Sequence, residues 1–331
     1  MPPAMTVTGP VEASALGHVL PHEHVFINLL AEYRAEGLLN DQSRMAEELA
    51  LFRRCGGGTL VELTPAELTA GAAPDPLGLY RKIPNPTPGP PGSRAAANVH
   101  ELRALSAETG VNIVMGTGHY RDPYLDKNWF DQTSVDEIAE GIVRDLTDGV
   151  AGTGVRAGII GEIGADRWYV SAAEERSFRA AARAHNRTGV PITTHAARWP
   201  VGTAQLDILV SEGVDPRRVI IGHCDGVQIP EYHRDLARRG AYVQFDLIRG
   251  ADDWDTASRV RLVVGMVRDG LIDHVLLSHD VCTVKQLKTA GGWGYTFVRT
   301  RFAELLVEAG LEPDEIEHIL VENPRRALTG A

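Results

Sequence analysis

Two histidines two residues apart, His22 and His24, open the chemistry of this chain. In an extended strand such residues face the same side, so both imidazoles can share one divalent cation. Four further side chains able to ligate a metal each end a short apolar run. Glu162 follows Ala157-Gly158-Ile159-Ile160-Gly161 and His195 follows Pro191-Ile192-Thr193-Thr194. His223 follows Val219-Ile220-Ile221-Gly222, and Asp280 follows Val275-Leu276-Leu277-Ser278-His279. A cation held by such groups lowers the pKa of its water and polarises a carbonyl or phosphoryl oxygen, which is metal-assisted hydrolysis. The bland alternative is six unrelated core or capping groups, but buried His, Glu and Asp are uncommon without partners.

The spacing is regular. Glu162 and His195 are 33 residues apart, His195 and His223 are 28 apart, and His223 and Asp280 are 57 apart, or one, one and two strand–helix units. A seventh strand would then supply no ligand. The apolar runs predict strands at 16–24, 57–64, 110–117, 155–163, 190–196, 217–223, 240–247 and 273–280. Helical patterns lie between them at 41–54, 93–109, 133–148, 172–188, 201–213, 229–239 and 253–268, with two more at 296–309 and 312–320. Gly110, Gly189, Gly213 and Gly240 close helical patterns where a left-handed cap is wanted. Eight such units predict an α/β fold: a single (β/α)8 TIM barrel over 1–331 with extra C-terminal helices, its active face at the strands' C-terminal ends. A doubly wound sheet is the alternative, but the glycine-rich phosphate loop it usually carries is replaced by Pro21-His22-Glu23-His24. A proline-rich insertion after the second strand, residues 65–92, can be neither helix nor central strand. It is expected to be a stiff surface excursion, or else a lid or subunit contact.

Composition narrows the partners. A net charge of −11 disfavours nucleic acid and anionic membrane surfaces. Three scattered cysteines without a CxxC pair suit a reducing compartment. No basic-then-apolar leader opens the chain and no run is long enough to span a bilayer, so the expectation is a soluble, cytoplasmic protein.

The chain resembles the phosphotriesterase-like family of the amidohydrolase superfamily. The resemblance runs from Thr8-Gly9-Pro10 through Leu20-Pro21-His22-Glu23-His24 to Leu277-Ser278-His279-Asp280 and Val321-Glu322-Asn323-Pro324. It implies a binuclear site, usually zinc, with manganese, cobalt or iron as substitutes. Many members bridge the metals with a carboxylated lysine, whereas Gly161-Glu162-Ile163-Gly164 is similar to the glutamate-bridged branch. Glu162 falls one place later than that lysine, so a bulge at Gly161 is expected. On this resemblance His22, His24 and Asp280 hold the more buried ion, His195 and His223 the more exposed one, and Glu162 spans both. A hydroxide between the ions would attack, with Asp280 passing its proton to the leaving oxygen.

The implied substrate is a lactone or related carboxyl ester. A phosphotriester or organophosphate is the alternative at the same site, and a non-catalytic metal-binding scaffold is a third reading. Nuclease chemistry is disfavoured by the charge. The loop after the second strand, Ala66-Glu67-Leu68 with its prolines, departs from the Gly-Arg-Asp-like run of many relatives. Candidate substrate contacts are His119 and Tyr120 after the third strand, Arg249 after the seventh, and Trp293 after the eighth. The alternatives are an Arg249 paired with Asp252 or Asp253 and a Trp293 that anchors its loop. Asp225, two residues after His223, is a candidate support for the ligands. The remaining histidines are expected to be structural, with His279 pointing outward, and Cys224 and Cys282 are expected to point away from the metals. A homodimer is possible.

Overall fold

The structure is a computed structural model that describes residues 2–69, 94–165, 167–250 and 253–330. All eight expected strands are present: β1 His18–Glu23, β2 Gly57–Glu62, β3 Asn112–Thr117, β4 Ile159–Gly164, β5 Ile192–His195, β6 Val219–Gly222, β7 Tyr242–Phe245 and β8 Val275–Leu277. They form one sheet in sequential order, with every ladder parallel. Intervening helices are α1 Gln42–Arg54, α2 Ala96–Thr109, α3 Val135–Thr147, α4 Ala172–Thr188, α5 Gly202–Ser211, α6 Pro230–Arg238 and α7 Asp253–Arg268. Further helical segments between Val298 and Thr329 complete the chain. Most of the proline-rich insertion, from residue 70 to 93, lies outside the described residues.

Local sequence explains the boundaries. Ser134 and Ser171 make capping boxes with Glu137 and Glu174 at the starts of α3 and α4. Gly110 and Gly189 end α2 and α4 in the left-handed conformation, at φ 68° and 72°. Among the described residues no helix is long and apolar enough to cross a membrane.

The barrel is nearly closed, and side chains stitch its seam. β1 and β8 share no ladder, but the Glu23 carboxylate accepts from Ser278 Oγ (2.8 Å), His279 N (2.9 Å), His279 Nδ1 (2.8 Å) and Val281 N (2.9 Å). The residue between His22 and His24 therefore ties the first strand to the last. His279 points outward, its Nε2 accepting from the Val298 amide at 2.9 Å. Inside, an apolar floor of Val19, Val61, Val114, Ile159, Ile220 and Leu276 closes the N-terminal end. Because side chains alternate along a strand, the inward set of β7 rises from Tyr242 in that floor through Gln244 to Asp246.

Candidate metal centre

Glu162 is brought inward by an irregularity in β4. The register with β5 shifts between Ile160 and Ile163, and Gly161 has φ 137°. A Cβ at Gly161 would lie 2.3 Å from the Thr193 carbonyl oxygen, so glycine is required where the strand bulges. Glu162 Oε2 then lies 3.5 Å from His22 Nε2, 3.1 Å from His195 Nδ1 and 3.4 Å from His223 Nε2, while Oε1 lies 3.6 Å from His24 Nε2. Asp280 Oδ1 stands 3.3 Å from His24 Nε2 and 3.9 Å from His22 Nε2. The six expected ligands thus converge. Two groups with the spacing of a metal site, His22–His24–Glu162 and Glu162–His195–His223, share the one carboxylate.

Hydrogen bonds behind the imidazoles decide which nitrogens face inward. Asp246 Oδ1 accepts from His223 Nδ1 at 2.7 Å, and Asp246 Oδ2 lies 3.0 Å from His22 Nδ1. A charged acceptor at Nδ1 holds the proton there and leaves Nε2 with its lone pair. For His24 the relay is longer. Thr64 donates its only hydroxyl proton to Glu62 at 2.5 Å, so its oxygen accepts from His24 Nδ1 at 2.9 Å. Glu62 is itself paired with buried Arg94 at 2.5 Å. His22 Nε2 is buried with no hydrogen-bond partner. An orphaned lone pair facing two carboxylates and two further imidazoles fits a divalent cation. The grouping His22–His223–Asp246 is different, since Asp246 there faces the Nδ1 side of both rings.

The electrostatics agree. Burial opposes ionisation of Glu162, but the His22 charge and hydrogen bonds from His195 and His223 hold its carboxyl well below the usual range. Asp280 is likewise lowered, by the His24 hydrogen bond and the neighbouring imidazoles against the cost of burial. Burial would lower His223 and His22, yet Asp246 and Glu162 raise both. His195 is lowered by burial and by His223. Three carboxylates drawn together, two of them fully buried, call for positive charge at this point. Asp225 accepts from the amides of Asp246 (3.2 Å) and Leu247 (3.0 Å) and pairs with Arg259 at 2.8 Å, with its carboxyl pushed up to about 6 chiefly by burial. It supports the end of β7 that carries Asp246.

A cavity of about 180 Å³ opens beside these groups. Tyr120 and Arg249 line it: Tyr120 Oη lies 3.3 Å from His195 Nδ1, and Arg249 Nη2 lies 3.2 Å from Asp280 Oδ2. Arg249 thus pairs with a ligand residue; Asp252 lies outside the described residues. Burial and the nearby Glu162 and Asp280 raise the Tyr120 phenol well above its ordinary range, so it remains a donor. His119 and Trp293 do not line the cavity. His119 alternates with inward Tyr120 and faces Glu67 at 2.6 Å, with Trp129 and Phe130 around its ring. Trp293 packs half-buried against the outer core. Cys224 is directed away, its thiol on the Ile221 carbonyl, but Cys282 lines the cavity, contrary to expectation. Cys282 stands two residues from Asp280, so strand alternation itself puts it on the ligand's side, whereas Cys224, directly next to His223, falls on the other.

Asp246, Gln244, Thr64 and the Arg94–Glu62 pair were missed in the sequence. Asp246 carried a signal: it ends the apolar run Tyr242-Val243-Gln244-Phe245 just as Asp280 ends its own.

An eight-stranded parallel barrel that gathers imidazoles and carboxylates at its strand ends has the architecture of an enzyme whose active face could hold metal ions. The chain belongs to the phosphotriesterase family, whose model matches residues 3–73 and 93–328. It is 37% identical over 227 residues to the phosphotriesterase homology protein of Escherichia coli K12, covering 69% of this chain and 77% of that one. It is 28% identical over 367 residues to an N-acetyltaurine hydrolase of Tetraodon nigroviridis, covering 98% and 97%. Two solved structures from Deinococcus radiodurans superpose closely. An organophosphorus hydrolase does so with TM-score 0.80 at 29% identity, covering 98% of this chain and 96% of that one. A variant phosphotriesterase-like lactonase has TM-score 0.78 at 29% identity, covering 98% and 99%. The family depends on two metal ions, and the two overlapping groups here could each hold one.

Proposed function

We propose that the chain hydrolyses a lactone or related carboxyl ester with two divalent ions. His22, His24 and Asp280 would hold one, His195 and His223 the other, with Glu162 reaching both. Four imidazole nitrogens with carboxylate oxygens suit zinc, and also manganese, cobalt or iron. When bound, such ions activate water and polarise the acyl oxygen.

The chain's own groups do the rest. Tyr120 donates its phenol proton to the acyl oxygen. Arg249 orients Asp280 through Oδ2, and Asp280, which lines the cavity, can move a proton to the leaving oxygen. That Tyr120 and Arg249 both line a small cavity, each within hydrogen-bond distance of a ligand residue, is the observation that carries the reading. A planar acyl group fits so small a cavity, whereas a phosphotriester needs room for three substituents. The same carbonyl chemistry on an N-acyl amide is a second reading, favoured by the match to the N-acetyltaurine hydrolase along 98% of the chain.

The test is a pH-indicator screen of protein stripped by chelator and reloaded with zinc, manganese or cobalt. Lactones and esters should exceed phosphotriesters at least tenfold in kcat/KM, and the stripped protein should be inert. A phosphotriester preference, or full activity after stripping, would overturn the proposal.

A further inference from the structure

Away from the histidines, three guanidinium groups line the cavity: those of Arg121, Arg198 and Arg249. Arg121 is paired with Glu32, which also accepts from the Tyr124 hydroxyl. Arg249 reaches Asp280 through Nη2, but its Nε is buried with no acceptor. Arg198 makes no ion pair among the described residues, and its backbone is left-handed at φ 69°. A non-glycine residue in that region is held there against its preference, and such residues cluster at ligand clamps. Arg198 and Arg249 line this one cavity together with Tyr33. The carboxylates lining the cavity are already engaged: Glu32 by Arg121, Glu162 and Asp280 by imidazoles. Positive charge with unused donors is left over, beside the apolar Ile27, Leu29 and Leu247.

We propose that Arg198 and Arg249 form an anion subsite, and that the substrate is an acyl ester whose leaving group carries a carboxylate or sulfonate. This rests on the acyl-hydrolase reading above. Arg249 touches Asp280, the group placed to protonate the leaving oxygen, so the anion belongs on the leaving-group side. Water adds to the acyl carbon, the acyl C–O bond breaks and the proton goes to the leaving oxygen. The products are a carboxylic acid and a short hydroxy acid or hydroxysulfonic acid. Planar guanidinium forks suit either anion.

Matched substrates test this on the metal-loaded protein: 3-acetoxypropanoate against its neutral amide, 3-acetoxypropanamide, with 2-acetoxyethanesulfonate as the sulfonate arm. At least one anion should exceed the amide tenfold or more in kcat/KM, and the better arm identifies the anion. Arg198→Asn removes the charge with a residue that tolerates the left-handed backbone. It should raise KM for the anions five- to tenfold, leave kcat within twofold and leave the amide unchanged, while Arg198→Lys restores most of the loss. Calorimetric titration with 1-propanesulfonate, which has no acyl bond, should show at least fivefold weaker binding to Arg198→Asn. Equal turnover of the matched pair, equal loss for charged and neutral substrates, or unchanged propanesulfonate binding would overturn the subsite. If no ester is hydrolysed yet propanesulfonate binding still depends on Arg198, the subsite stands and the acyl-hydrolase reading falls.

Discussion

One buried carboxylate stands behind both halves of the proposed centre. Asp246 accepts from His223 Nδ1 at 2.7 Å and lies 3.0 Å from His22 Nδ1, so it supports one histidine of each metal group. Removing such a partner weakens metal binding by about 10–100-fold, or roughly 1.4–2.7 kcal/mol. Asp246→Ala should therefore weaken both ions together. Thr64→Val, which among the ligands reaches only His24, should weaken one. Asp246→Asn should be milder than Ala. Its amide oxygen can keep the His223 contact, and Gln244, whose Oε1 is unpartnered, can turn its amide toward the new NH2 and His22. The assay is competition against a chromophoric chelator, with metal content by mass spectrometry after dialysis. Unfolding of the stripped proteins separates metal loss from fold loss, since Ala also orphans the buried His223 amide at a cost of about 1–3 kcal/mol. If Asp246→Ala keeps two ions at wild-type affinity, or loses only one, the shared-support argument is wrong.

Three further outcomes follow from the same geometry. Gly161→Ala places a methyl 2.3 Å from the Thr193 carbonyl at φ 137°, so denaturant unfolding should show a loss of about 3 kcal/mol or more; a loss under about 1 kcal/mol would rule out the bulge. Arg259→Met leaves Asp225 buried without its cation and should cost about 3 kcal/mol in urea unfolding, with neutral behaviour counting against the pair. His18 has neither ring nitrogen hydrogen-bonded and its pKa is pushed down to about 3, first by burial and then by Arg299. Above pH 6.5 it is neutral in both states and costs nothing; as pH falls toward 3 only the unfolded chain takes the proton, so stability drops by about 1.4 kcal/mol per unit. Wild type and His18→Leu should therefore diverge between pH 6.5 and 4.5, and parallel stability curves would refute the burial argument.

The barrel was legible because each strand is covered on its outer face and packed within, so strands such as Val219-Ile220-Ile221 stand out as apolar runs. The converging side chains were legible for a related reason. A polar residue that ends such a run points where the sheet opens, and the same logic would have found Asp246 had the 57-residue gap not argued for an empty seventh strand. Thr64 could not be found this way. Its role depends on Glu62 taking its proton, and Glu62 depends on Arg94, beyond an insertion whose path no local pattern predicts.

Strand alternation guides the ligands as far as the ends of the strands. His223 and Asp280 both adopt left-handed backbone, at φ 55° and 53°. Up to these residues a two-residue period separates inward from outward side chains, as it does for Gln244 and Asp246 or for outward His279. It still describes the nearest neighbours: Cys224, next to His223, turns to the Ile221 carbonyl, while Cys282, two residues after Asp280, enters the cavity. The rest of the wall comes from the loops beyond, with Ile27 and Tyr33 after β1, Arg121 after β3, Arg198 after β5, and Leu247 and Arg249 after β7. No strand period runs through those loops, so the direction of their side chains is set by the turns they make. This is why the ligand set could be read from the chain while a wall residue such as Arg198 could not.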